Sequence, residues 1–194
     1  MTDVIRNGAL VVSTVLVVGS IIPYLIDIVK KKTKPRVVTW LNWGILGAIA
    51  GAAALKDGQI PAALLSFASV IEVGMVVLLG LYYGDRRFGR FDILTQIAAI
   101  IGLILWLVFN SPLTAIVAVT VIDLIAALPT YKHIWQSPTE ETLSTFCISA
   151  VASLITLLVS FNANVSGLIF PIYLLTANVG MAGLIIARRR RPQQ

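Results

Sequence analysis

Seven apolar stretches, near residues 8–30, 36–55, 60–83, 92–110, 112–134, 142–162 and 167–187, follow one another with only short polar links between them. Each is close to the ~20 residues that a helix needs to cross the hydrocarbon core of a bilayer. A chain of 194 residues that is 58% hydrophobic and 12% charged has too much surface for its volume to hide so many apolar side chains from water. Lipid is the expected solvent, and the links leave no room for a separate soluble domain. The expected fold is all-α, an integral membrane protein of seven transmembrane helices in a single domain, 1–194. The first stretch lacks a small-residue cleavage site and leads straight into further spans, so it reads as a helix and not as a removable signal.

Charge sets the expected orientation. Thirteen of the fifteen lysines and arginines fall on one side of such a chain: Lys30, Lys31, Lys32, Lys34 and Arg36, then Arg86, Arg87 and Arg90, then Lys132, then Arg188 to Arg191. Only Arg6 and Lys56 fall on the other. Basic loops stay in the cytoplasm, which predicts an outside amino terminus, a cytoplasmic carboxyl terminus and, most simply, the cell (inner) membrane. The net charge of +6 then reflects topology and contact with anionic headgroups, not a nucleic-acid partner.

The chain also matches itself. A shift of 106 residues aligns 10–83 with 116–189 without a gap, and 12 of the 74 positions are identical. Pro23 meets Pro129, Thr33 meets Thr139, Thr39 meets Thr145, and Val73-Gly74-Met75 meets Val179-Gly180-Met181. Each copy holds three apolar stretches, about 8–83 and 112–189. The stretch at 92–110 adds one crossing, so both copies are expected to run the same way through the bilayer in a 3+1+3 order.

This layout resembles the SWEET and PQ-loop transporter superfamily, whose SWEET members are built from parallel repeats. The residues that carry the resemblance are Pro23 and Pro129, each late in the first helix of a copy, and the Thr39-Trp40 and Thr145-Phe146 pairs that open the next helix. Pro23-Tyr24 and Pro129-Thr130 stand where the PQ-loop pattern has Pro-Gln. The resemblance implies a small-solute transporter working by alternating access, with sugar as the substrate class and a site at mid-membrane. It also implies that Glu72 and Asn178, which align with each other, stand where SWEET-like proteins place a pair of sugar-lining asparagines.

The residues themselves point to the same positions. Ionisable groups at mid-membrane are costly and are functional candidates by default. Glu72 lies at the middle of the third stretch and Asp123 at the middle of the fifth. A charged carboxylate in a low-dielectric cavity can be neutralised by a proton, so Glu72 opens the alternative of a proton-coupled carrier for an amino acid or vitamin-like solute. Tyr173, aligned with Phe67, is a further candidate for the cavity wall. A proline removes a backbone donor and kinks a helix, so Pro23 and Pro129, with Tyr24 and Thr130 beside them, are the expected hinge and gate. Trp40 and Trp43 read as interfacial anchors, Asp27 as a partner for a neighbouring lysine, Cys147 as a buried thiol, and Gly44, Gly47 and Gly51 as a helix-packing face.

No catalytic motif and no paired Cys or His for a metal is present, so neither an enzyme nor a metal cofactor is expected. A receptor of the same fold, resembling the KDEL receptors, and a membrane accessory protein are the remaining readings. The duplication lets one chain close a complete pathway around its solute within the lipid bilayer, so a homo-oligomer is not required.

Overall fold

The computed structural model of the chain describes residues 3–35, 37–84, 111–160 and 163–190, with isolated positions at 86, 89, 90, 93, 94, 97, 98, 100, 101, 104 and 108. These residues form an all-helical protein: α1 (Asp3–Ser20), α2 (Ile22–Val29), α3 (Val37–Lys56), α4 (Ile60–Tyr83), α5 (Pro112–Gln136), a short 3₁₀ turn (Pro138–Glu140), α6 (Leu143–Val159) and α7 (Val165–Arg189). Among the described residues, five segments are long and apolar enough to cross a membrane, with α1 and α2 counted together, and α6 is a shorter apolar helix of 17 residues. Several spanning-length helices in one chain are what a multi-pass membrane protein requires. Most of the stretch expected at 92–110 lies outside the described residues. Those described within it are helical and turn Ile93, Ile97, Ile100, Ile104 and Val108 outward.

Local chemistry sets the helix ends. Ser111 caps α5, its hydroxyl accepting from the Thr114 N–H at 3.3 Å, and Pro112 opens the first turn. Asn164 caps α7 in the same way, accepting from the Gly167 N–H at 3.1 Å. The α3–α4 turn runs through Gly58 at φ +71°, a conformation that suits glycine. α1 and α2 are one apolar segment interrupted at Ile21, two residues before Pro23. Pro23 has no N–H to continue the ladder, and the Ser20 hydroxyl competes for the Val17 carbonyl at 2.8 Å. No such interruption occurs along α5, which runs through position 129.

The helices divide into two sets of three segments. In the first, α4 packs against both α1 and α3, and α1 and α3 do not pack against each other; in the second, α7 stands in the same relation to α5 and α6. Two main seams join the sets, α1 with α6 and α3 with α5. Under the 106-residue shift these are the same seam twice. The α3–α4 interface is close because of its glycines: a Cβ on Gly44, Gly47 or Gly51 would come within 3.2 Å of Val73, 3.2 Å of Val70 and 2.9 Å of Phe67. The α1–α6 seam is polar. The Ser13 hydroxyl donates to the Ala152 carbonyl at 2.8 Å and lies 2.8 Å from Thr156 Oγ1, and Ser20 lies 3.0 Å from Ser149.

The packing puts polarity inside. Ser13, Asn42, Ser66, Glu72, Asp123, Ser153 and Thr156 are buried, while Val11, Val15, Ile71, Leu78, Val121, Leu154 and Leu158 face outward. Such an outer surface suits lipid, which solvates apolar side chains as well as a protein core does. Cys147 faces outward too and is not a buried thiol. On α6 the inward positions are Thr145, Ser149 and Ser153, spaced by four, and residue 147 falls on the opposite side of the helix.

Candidate functional site

Between the two helix sets lies a cavity of about 110 Å³. Glu72, Asp123, Tyr173 and Asn178, the four residues singled out from the sequence as solute contacts, all line it. Much of the lining comes in pairs related by the 106-residue shift: Val17 and Asp123, Trp40 and Phe146, Trp43 and Ser149, Gly47 and Ser153, Glu72 and Asn178. The two acids are therefore not mates of each other. Glu72 comes from α4 in the first set and Asp123 from α5 in the second.

Both acids are buried, Glu72 at 8% exposure and Asp123 at 7%. Glu72 faces the Ser20 hydroxyl and Asp123 faces that of Tyr173. Asp123 Oδ1 and Thr145 Oγ1 have no hydrogen-bond partner among the described residues. Buried polar atoms in proteins are almost always satisfied, so orphans lining a cavity mark a place built to meet something else. Asn178 turns its amide onto the Leu174 carbonyl at 2.7 Å. Among the described residues no lysine, arginine or histidine lines the cavity.

A second, wider cavity of about 770 Å³ opens at the end that carries the α2–α3 and α5–α6 links. Tyr24 and Thr130, the residues that follow the two prolines, line it with Lys34, Lys132, His133, Glu140 and Glu141. Trp40, Trp43 and Phe146 line both cavities and so stand between them. The Tyr24 and Trp40 rings are 5.0 Å apart, and Trp40 and Trp43 are 5.2 Å apart edge to face. The two tryptophans thus form part of the wall of both cavities. They sit one turn apart on α3, on the side that meets the second helix set. The side chain of Pro129 lies outside the described residues.

This wider end also has bonds across the two sets. Asp27 accepts from the Thr142 hydroxyl at 2.8 Å, the bond found here in place of the expected lysine partner, and Thr33 donates to the Glu140 carbonyl at 3.3 Å. His133 Nε2 is 3.3 Å from Glu140. Burial, together with the Glu140 charge, pushes the Glu141 carboxyl up to about 7.

At the opposite end hydrogen bonds join the two sets. Asp57, in the α3–α4 turn, accepts from Asn164 Nδ2 at 2.8 Å and from the Ser166 hydroxyl, both from the other set. These bonds hold the Asp57 carboxyl below the ordinary carboxylate range. Next to them a Cβ at Gly167 would run into the Gln59 side chain, so the sets touch closely here.

Sequence reasoning did not single out the inward face of α6 or the Asp57 contact. The first had a signal in the four-residue spacing of Thr145, Ser149 and Ser153. The second had none, because Asp57 and Ser166 are 109 residues apart and are not mates in the repeat. Compared with family models, with curated proteins and with solved structures, the chain finds no match in any of the three.

Proposed function

We propose that the chain is a small-solute membrane transporter working by alternating access. The central cavity carries this reading: a largely apolar chamber holding two buried acids between two similar helix sets, walled by aromatic rings on one side and bridged by cross-set hydrogen bonds on the other. Transporters built from repeats bind their solute near mid-membrane, at the repeat interface, and rock one repeat against the other. The repeat-related lining and the twice-used seam support a duplicated bundle in 3+1+3 order, with 92–110 as the added crossing. The lysine-rich end is then cytoplasmic, and the conformation is open toward the cytoplasm and closed outside by Asp57, Asn164 and Ser166.

In this reading the solute enters through the wide cavity and passes Trp40, Trp43 and Phe146. It is held beside Glu72, Asp123, Tyr173 and Asn178. The break before Pro23 lets α2 swing with its Tyr24 ring, which rests on Trp40, and so moves the aromatic wall. The acids offer places to carry a proton with the solute.

Uptake into proteoliposomes tests this. A panel of sugars, amino acids and amines is offered with and without an inward proton gradient, to wild type and to Glu72→Gln. Saturable flux of one class, reduced at least tenfold by Glu72→Gln, is expected. Flux no faster than in protein-free liposomes across the whole panel would refute transport. Accumulation that requires the gradient would make the protein a proton-coupled carrier, and equilibration that ignores it a uniporter.

A further inference from the structure

We propose that the central cavity takes a small organic cation, a protonated amine with few carbon atoms. The inference rests on the transport reading for its consequence but on the cavity itself for its evidence.

The charge is one-sided. Glu72 and Asp123 are both more than nine-tenths buried, their immediate partners are the hydroxyls of Ser20 and Tyr173, and no basic side chain among the described residues faces them in the cavity. An ionised carboxylate out of water is unfavourable unless a positive charge or several donors meet it. One oxygen of Asp123 meets no donor among the described residues. A cationic solute supplies both missing elements, the charge and the N–H groups.

The walls have the matching chemistry. Trp40 and Trp43 face the same chamber as the two acids. The faces of aromatic rings attract cations within about 6 Å, tryptophan most strongly, and the attraction grows where water is excluded. An ammonium group next to a carboxylate and against an indole is served by both. A bare metal ion is not, because hard cations need a shell of several oxygens, and much of this lining is apolar.

Size narrows the class. The chamber is about 110 Å³, and a cavity of about 150 Å³ is what admits benzene. A hexose has about twice the heavy atoms of benzene and does not fit this conformation. A short alkyl or hydroxyalkyl amine does.

The test pairs a cation with its neutral isostere. Full-length protein in detergent is titrated with isobutylammonium, with isobutanol and with glucose, and binding is read by tryptophan fluorescence and by calorimetry. Isobutylammonium is expected to bind at least tenfold more tightly than isobutanol. Glu72→Gln with Asp123→Asn is expected to erase that preference, and Asp123→Glu to keep most of it. If the double variant does not fold, Asp123→Asn alone is expected to lower the preference several-fold. Equal binding of the alcohol or of glucose, or a preference that survives loss of both acids, overturns the proposal. Flux measured on the same preparations separates the two readings. Movement of glucose without binding of the ammonium ion leaves transport standing and removes the cation. Binding of the ammonium ion with no solute moving leaves the cation site standing and removes transport.

Discussion

Removing the charge of Asp57 should open the closed end. Its carboxylate accepts two hydrogen bonds that cross between the helix sets, from Asn164 Nδ2 at 2.8 Å and from the Ser166 hydroxyl. Asp57→Asn keeps the shape and one acceptor oxygen but removes the charge. Charge-assisted hydrogen bonds are roughly twice as strong as neutral ones, and exposed charged contacts are worth about 0.2–1 kcal/mol each. Losing half of two such bonds weakens the latch by about 0.2–1 kcal/mol. Since about 1.4 kcal/mol is a factor of ten, the population open at this end rises about 1.4- to five-fold. A reporter cysteine at Ser69, which lines the central cavity, reads this out. In a Cys147→Ser background, an impermeant maleimide is added to proteoliposomes from the Asp57 side, and the labelling rate follows the open fraction. Ser166→Ala, which removes one bond, should have a smaller effect in the same direction. Lowering the pH should imitate the substitution. The folded-state pKa of Asp57 is depressed, so its contribution is fully present above the ordinary carboxylate value of ~3.9 and is lost as pH falls through the lowered value. A folded Asp57→Asn protein that labels no faster than wild type would show that these bonds do not hold the end shut.

Ser13→Ala should loosen the α1–α6 seam by about 0.6 kcal/mol and by no more than ~1.7 kcal/mol, seen as a lower midpoint of unfolding in mixed micelles. Its position beside Ala152 and Thr156 predicts this. Gly47→Leu forces a side chain onto Val70 and should cost about 1–3 kcal/mol in the same assay, whereas Gly19→Ala, with nothing within 4 Å of the new Cβ, should cost far less. Glu141 predicts a pH effect of opposite sign to Asp57. Its folded pKa is raised from 4.5 to about 7, so stability is full below about 4.5 and is lost as pH rises through about 7, on the order of 3 kcal/mol in all. Glu141→Gln should flatten hydrogen exchange at 139–142 over that window, and an unchanged pH dependence would place its origin elsewhere.

Much of this protein was legible before any coordinates. The apolar stretches gave the helices within a few residues, because a spanning helix must satisfy its backbone internally and must be long enough to cross. Glu72 and Asp123 stood out because an ionisable group inside an apolar stretch is costly to expose to lipid, and both are buried along the central cavity. The prolines were read as equivalent, yet the helix breaks at Ile21 beside Pro23 and runs on through 129. What differs is the local competition for carbonyls, in which Ser20 takes part, and Ala126, its mate in the repeat, cannot.

Sequence by itself determined the all-helical class, the rough limits of the helices outside 92–110, and apolar stretches long enough to cross a membrane. These follow from local composition and periodicity. Tertiary structure alone decided that α4 and α7 each stand between the other two helices of their set. It also decided that Trp40 and Trp43 line a chamber, that Cys147 faces outward, and that Asp57 reaches across to Asn164 and Ser166. Each of these depends on how one helix is rotated against a neighbour far away in the chain. In a membrane that rotation is set by side-chain fit and hydrogen bonds between helices, because lipid and protein interior are nearly equally apolar and hydropathy no longer tells one face of a helix from the other.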